Sequence, residues 1–367
     1  MKIKNFTFTL LLTSICLISF SASVYAQLNL PSNSQKASVT QKVGITDITI
    51  KYSRPSVKGR EIWGKLVPYG MNNLGFGTAI ESPWRAGADE NTTISFSDDI
   101  SIDGKKLKAG TYGLFMVIYE NDNADIIFSN NSSAWGSFFY NPDEDALKVT
   151  VKSKQTSHTE LLTFDFNSVD KTSATAALKW GEKEIPFKIE VPVSDIVLTK
   201  IRQDLQSSPG FSNQSWVQAA NYSLNNDGDL TEALHWIDAS ISGNFFSQKN
   251  YNNLLTKSRI LTKMGKSEEA LVIVEEAASL ANKNQLNAMG YQMLNQKQYD
   301  LAIKFFKLNV KNYPKDPNVY DSLGEGYKTI GDNKNAIKNL KKSLSLDPPP
   351  AVKANSEKLL KELGVKI

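Results

Sequence analysis

Hydrophobic and polar positions alternate along the first half of this chain and recur at helical spacing along its last third. From residue 37 to about 192 the alternation runs through Ile48, Ile50 and Tyr52, through Ile94 and Phe96, and through Leu147, Val149 and Val151. It continues in Leu162, Phe164 and Phe166, in Ala176, Leu178 and Trp180, and in Phe187, Ile189 and Val191. A period of two places one face of each run in a core and the other in water. Asp103-Gly104, Ala109-Gly110, Asn121-Asp122-Asn123, Asn141-Pro142-Asp143 and Gly181 punctuate the runs as turns. The pattern predicts about nine short strands and no helix, hence an antiparallel β-sandwich or barrel.

The period changes near residue 194. Ser194 is placed to cap a helix, Asp195 suits its first turn, and Ile201 and Leu205 share one face. Ser207-Ser208-Pro209-Gly210 then breaks the chain. The expected organisation is a segment 1–26 removed on export, a β domain over 27–193, a helix and linker over 194–212, helical repeats over 213–349 and a capping helix over 350–367.

The repeats announce themselves through four alanines, Ala233, Ala270, Ala302 and Ala336, spaced 37, 32 and 34 residues apart. Each follows a turn and precedes a large apolar residue four positions on. A period near 34 residues means stacked helix–turn–helix units that bury a core only between neighbours. The best-defined unit has Leu323, Gly324, Tyr327, Ala336, Leu340 and Pro348; the one before it has Leu286, Met289, Gly290, Met293, Ala302, Phe306 and Pro314. Looser units use Leu254, Ser258, Leu261, Gly265, Ala270 and Val274, and Val217, Leu224, Gly228, Ala233 and Ile237. The small residues let the two helices of a unit approach closely. These units resemble tetratricopeptide repeats, which implies a solenoid whose first helices line a concave, peptide-binding face. On that face the register places Gln218, Tyr222, Asn252, Arg259, Asn284, Asn287, Tyr291, Asp321, Glu325 and Lys328. Asn side chains both donate and accept, which suits an extended peptide backbone. The alternative is a solvated face on a structural spacer. No basic clamp for a C-terminal carboxylate is evident.

One stretch of the β half does not alternate. Residues 53–91 are long, rich in Gly and Pro, and carry Trp63 and Trp84. A connection of that length in a compact domain is functional or disordered, and its aromatics argue against disorder. Four strings in and after it resemble the family called domain of unknown function 2911: Tyr52 to Arg60, Trp84 to Ile94, Ala109 to Phe115, and Trp135-Gly136. The resemblance covers roughly residues 30–192 and implies no activity, because none is established for the family. The residues themselves offer a site for a polar ligand. Arg54, Lys58, Arg60 and Arg85 accompany Trp63, Trp84, Asp89, Glu90 and Asn91, with Tyr69 and Tyr140 as further members. Arg forks carboxylates and phosphates, and Trp stacks on sugars or covers apolar surface. The structural alternative pairs Arg54 and Arg85 with Asp89 or Glu90 to pin a loop.

Charge and composition narrow the function. Lys2 and Lys4 precede an apolar stretch from Phe6 to Phe20, and Val24-Tyr25-Ala26 offers a cleavage site, the pattern of a secretory signal peptide. Cys16, the one cysteine, lies inside that stretch and follows Ile15, which disfavours a lipid anchor. The mature chain, 367 residues less 26, would have no disulfide, no thiol nucleophile and no cysteine-based metal site. Its formal charge falls from +4 to +2 with the loss of the two lysines, which argues against a nucleic-acid partner. His158 and His235 are the only histidines. No nucleophile elbow, phosphate loop, dinucleotide fingerprint or metal spacing accompanies them, and Asn225 to Asp229 only partly matches a calcium loop. The expectation is an exported, periplasmic or secreted, non-catalytic binding or scaffold protein. It needs no cofactor or metal, has no transmembrane segment after cleavage, and meets a protein or peptide partner through its repeats. The alternative is an envelope hydrolase acting on a glycan or peptide, with the repeats as a docking arm.

Overall fold

The computed structural model describes residues 30–366. The expected signal segment, residues 1–26, lies outside them. The chain divides between Val191 and Pro192 into two compact units. In the first, ten strands form two antiparallel sheets. They are β1 (Gln35–Val43), β2 (Thr46–Arg54), β3 (Thr93–Phe96), β4 (Ile100–Ile102), β5 (Lys105–Leu107), β6 (Gly110–Ile118), β7 (Asn123–Ser129), β8 (Asp145–Lys152), β9 (Lys154–Val169) and β10 (Ser173–Glu190). One sheet runs β1-β2-β3-β6-β7-β8 and the other β5-β4-β10-β9, and among the described residues neither closes into a barrel.

The alternating apolar positions meet between the sheets. Ile48, Ile50, Ile94, Leu114, Met116 and Phe128 of the larger sheet, and Leu162, Phe164, Leu178, Phe187 and Ile189 of the smaller, are almost wholly buried. Tyr52 sits edge-on to Phe164 at 5.0 Å and Phe128 to Phe187 at 6.1 Å. Each side chain of this size contributes roughly 1.5–3 kcal/mol by leaving water. Strand β6 departs from alternation because both its faces are covered. Its outward Phe115 and Val117 form a second small core with Ile127 and Tyr140, roofed by Met71 and Ala79 of the long irregular segment.

That segment also stitches the sheets together at one end. Beyond the Thr93–Gly113 pair β3 stops. Trp84 then takes its place opposite Met116 through two 2.8 Å main-chain bonds. Just after β2, the chain crosses to the other sheet, where Leu162 N–H donates to Pro55 and Val57 N–H to Glu160. A cleft opens where these crossings meet.

The second unit starts with α1 (Val193–Asp204). Ser194 does not cap it; Pro192 occupies that position, and the Ser194 hydroxyl donates to the Asn226 carbonyl at 2.7 Å. After a 3-10 turn at Ser208–Phe211 come four helix pairs: α2 (Asn213–Asn225) with α3 (Leu230–Ile241), α4 (Tyr251–Lys263) with α5 (Ser267–Ser279), α6 (Lys283–Asn295) with α7 (Tyr299–Asn312), and α8 (Pro317–Thr329) with α9 (Asn333–Leu344). A last helix, α10 (Pro350–Glu362), packs Leu359 and Leu360 against Leu340. Local sequence sets the boundaries: Asn250 and Asn282 close capping boxes at α4 and α6, and Asp229 caps α3 through the amides of Thr231 and Glu232. Asp229, from the stretch that partly matched a calcium loop, is therefore employed as a cap.

The glycines expected to bring paired helices together do so. A Cβ on Gly290 would stand 2.4 Å from the Phe306 ring, and one on Gly324 2.7 Å from Leu340 Cγ. Buried apolar residues form one core from Leu198 to Ile260 and another from Ala278 to Ala336. The first core reaches Ile260 on α4 and the second begins with Ala278 on α5, so the two divide within the second pair and the second core spans its junction with the third.

Candidate functional site

In the β unit the cleft encloses about 760 Å³. Pro55, Ser56, Lys58 and Arg60 line it from the chain after β2, and Trp84, Arg85, Ala88 and Asp89 from the chain before β3. Two of the strings that carried the family resemblance therefore fold back onto one concavity. The backbone there is unusual: Lys58, Ala86 and Asp89 adopt φ of 47°, 49° and 60°. Left-handed Lys and buried Ala are sparsely populated conformations that surrounding contacts must hold in place.

The arginines and acids of residues 53–91 separate into different roles. Arg54 points to β9, its Nε donating to the Leu162 carbonyl at 2.9 Å and Nη2 to Thr163 Oγ1 at 2.6 Å. Arg60 lines the cleft but spends Nε on the Val57 carbonyl at 3.1 Å and Nη2 on that of Ser56. Arg85 makes a single hydrogen bond among the described residues, from Nη1 to the Asp89 carbonyl at 2.7 Å. Its guanidinium lies 5.1 Å from the Phe138 ring centre and against Gly136, where a Cβ would come within 2.4 Å of Cζ. Burial pushes Arg85 below the usual arginine range, with Asp89 opposing the shift. The loop-pinning alternative is met in part: Arg85 holds the Asp89 carbonyl, while the Asp89 carboxylate accepts from Ser32 at 2.8 Å.

Glu90 and Asn91 face a separate shallow groove with Lys36 and Tyr52, where Lys36 Nζ meets Glu90 at 2.5 Å. Tyr69 and Tyr140 do not line the cleft; Tyr140 donates to Asp145 at 2.7 Å. Trp63 stands behind the wall, edge-on to Trp84 at 5.8 Å and to Trp180 at 6.2 Å. Trp180 is the wall residue that sequence reasoning left in the strand core. It is 1% exposed, stacks on Trp84 at 6.0 Å and leaves its indole N–H without a partner. The available signal was the Gly181 beside it, where the β9–β10 register shifts.

Glu160 sits at the edge of this region on β9. Its carboxylate accepts from the Ser56 hydroxyl and, at 2.9 Å, from the Lys58 amide, with His158 Nε2 at 3.2 Å. These bonds, led by that of Ser56, pull its pKa down to about 2. His235 is exposed on α3.

On the helical unit, the polar residues of the expected groove fall into two sets. Five are joined to a side chain about one repeat away. Arg259 Nη2 donates to Asn225 at 3.2 Å, Tyr291 Oη to Glu325 at 2.8 Å, and Lys328 Nζ to Glu362 at 2.6 Å. Asp321, 5% exposed and raised in pKa by burial, accepts from Asn355 at 2.9 Å and from Ser356. Gln218, Tyr222, Asn252, Asn284 and Asn287 make no side-chain bond of this kind among the described residues, and Asn287 Oδ1 is buried without a donor. Between the second and third helix pairs lies a second cleft, of about 620 Å³. Its apolar wall includes Leu255, Leu271, Val274, Met289 and Met293; Arg259 and Lys263 also line it, and no carboxylate does.

Residues 34–189 match the family model described as Protein of unknown function (DUF2911), and residues 317–350 match a tetratricopeptide repeat model. The resemblance drawn from sequence therefore holds in both halves. No curated protein matches the chain. Among solved structures, the chain is similar to YrrB, titled a TPR protein with an unusual peptide-binding site, at 16% identity over 45% of this chain and 84% of that one, with a TM-score of 0.29. It is similar to MamA at 15% identity over 42% and 89%, with a TM-score of 0.30. MamA 41-end from Desulfovibrio magneticus RS-1 is 20% identical over 37% and 75%, with a TM-score of 0.26. Likeness at this level carries no argument about ligands.

Proposed function

We propose that this chain is an exported, periplasmic recognition protein that binds and does not turn over its ligands. The helical unit holds a segment of a partner protein, and the β unit, two sheets packed as a sandwich, is a second binding module. The cleft between the second and third helix pairs carries the reading. Methionine-rich apolar walls accept a large side chain and adapt to its shape. Lys263 is already tied to the Leu224 carbonyl at 2.9 Å and to Asp227 at 3.5 Å, so Arg259, with no carboxylate among the lining residues, favours a segment that places Asp or Glu beside that side chain. Tyr222, Asn252, Asn284 and Asn287 supply donors and acceptors for its backbone.

An array of immobilised decapeptides tests this. Peptides with Leu or Phe next to Asp or Glu should retain the protein, and the same peptides with Lys for the acid should not. Arg259→Glu, at an exposed position, should lower retention by about tenfold with little change in melting. Equal retention of acidic and basic peptides, or indifference to Arg259→Glu, refutes the reading. Protein taken from the envelope fraction should begin at Gln27; a chain still carrying Met1 removes the export part.

A further inference from the structure

The cleft of the β unit has a chemistry of its own. It holds three cationic side chains, Lys58, Arg60 and Arg85, against one carboxylate, Asp89, already engaged by Ser32. Arg60 is tied to two carbonyls of its own turn. Arg85 is fixed from below by Gly136 and Phe138 and uses one of its donors. Its Nε and Nη2, and Lys58 Nζ, have no acceptor among the described residues. A half-buried guanidinium with unfilled donors is costly unless an anion supplies the missing bonds. Trp84 and Trp180, stacked 6.0 Å apart, line the same space with Leu66, Val67 and Leu74. Aromatic and aliphatic wall therefore faces a fixed cation, and about 760 Å³ is a volume suited to one small molecule.

We propose that this cleft binds an acidic sugar, its carboxylate or phosphate held by Arg85 and Lys58 and its ring laid against Trp84. The guanidinium fork matches either anion. Ser56 and Asn72 border the cleft; their side chains already donate to Glu160 and to the Gly70 carbonyl, which leaves the Ser56 hydroxyl oxygen and Asn72 Oδ1 to accept from sugar hydroxyls. This deepens the part of the functional reading that gives the β unit a ligand. It is independent of the peptide cleft, which lies in the other unit.

Calorimetric titration of the full chain with glucuronate, glucose 6-phosphate, glucose and inorganic phosphate decides it. At least one acidic sugar should bind with Kd near or below ~1 mM, and glucose should bind at least ~10-fold more weakly. The two acidic sugars distinguish carboxylate from phosphate. Arg85→Gln should weaken binding by ~10-fold or more, and Lys58→Gln by a smaller factor. Lys58 is exposed, so its variant stands as the test where Arg85→Gln fails to fold. No heat from either acidic sugar at ~10 mM, glucose binding as well as glucuronate, or binding unchanged in Lys58→Gln overturns the proposal. Inorganic phosphate matching glucose 6-phosphate overturns the ring's part in it. Failure here leaves the peptide array untouched, and the reverse holds as well.

Discussion

Substituting Gly290 by Ala adds one methyl group where two helices touch. The new Cβ would lie 2.4, 2.6 and 2.7 Å from three carbons of the Phe306 ring, where ordinary carbon contacts are about 3.5–4.0 Å. The ring cannot turn aside freely: Phe306 is fully buried, Tyr291 packs edge-on at 5.1 Å, and a Cβ placed on Gly326 would already be 3.0 Å from the ring. Overpacking of this kind costs about 1–3 kcal/mol. Replacing Gly within a helix returns up to about 1 kcal/mol of propensity. With contacts this short the cost lies toward the upper end and outweighs propensity, for a net loss of up to about 2 kcal/mol, or up to ~8 °C in the melting of a unit this size. Far-UV circular dichroism at the helical minimum reports it. The decisive comparison is the same substitution in a Phe306→Leu background. With the ring gone, Gly290→Ala should become neutral or stabilising, a coupling of at least ~1 kcal/mol. Equal cost in both backgrounds, or a raised melting temperature in the wild-type background, refutes the packing argument.

Two further predictions concern the β unit. Glu160→Gln should flatten the acid limb of stability. The folded carboxyl is pulled to about 2, below its unfolded value of about 4.3, so its contribution is present above pH ~4.3 and lost as pH falls toward 2. Wild type should therefore lose stability more steeply than the variant over that window, and parallel curves would sink the assignment. Arg54→Ala should cost about 1–3 kcal/mol by leaving the Leu162 carbonyl and Thr163 hydroxyl without their donor, measured by denaturant unfolding. It should leave sugar binding intact, since Arg54 does not line the cleft; unchanged stability or lost affinity would contradict its place.

The repeats were legible because each helix declares itself locally, through an alanine, a glycine and an apolar residue at fixed offsets. The strands were legible wherever one face is wet. Alternation fails on β6, whose residues Tyr112 to Ile118 are all buried, because residues some forty positions earlier cover its outer face. No local pattern reports such a roof. The same blindness applies to the cleft. Neighbours in an irregular segment share a composition without sharing a direction, so Arg54 and Arg85 look alike in sequence yet face β9 and the cleft. Trp180 read as ordinary core because it is core; its role as a wall follows from Trp84 arriving on the other sheet.

The helical surface shows how a repeat period can organise polar residues as well as apolar ones. Asn225 with Arg259, Tyr291 with Glu325, Asp321 with Asn355 and Lys328 with Glu362 are each 34 positions apart. These bonds join the first helices of the first and second pairs, of the third and fourth, and of the fourth pair and α10. Between α4 and α6, at the second and third pairs, no such bond exists among the described residues. The second-layer helices are joined there by Lys304 and Glu275 at 2.7 Å. That junction is also where the 620 Å³ cleft opens. The two observations have one physical meaning: the first helices of neighbouring units are stitched by polar bonds elsewhere, and at this junction they stand apart and leave apolar wall uncovered. A partner's apolar side chain between Val274 and Met293, with the carboxylate of a neighbouring Asp or Glu at Arg259, would add apolar contact and supply the polar bond that the other junctions build from their own residues.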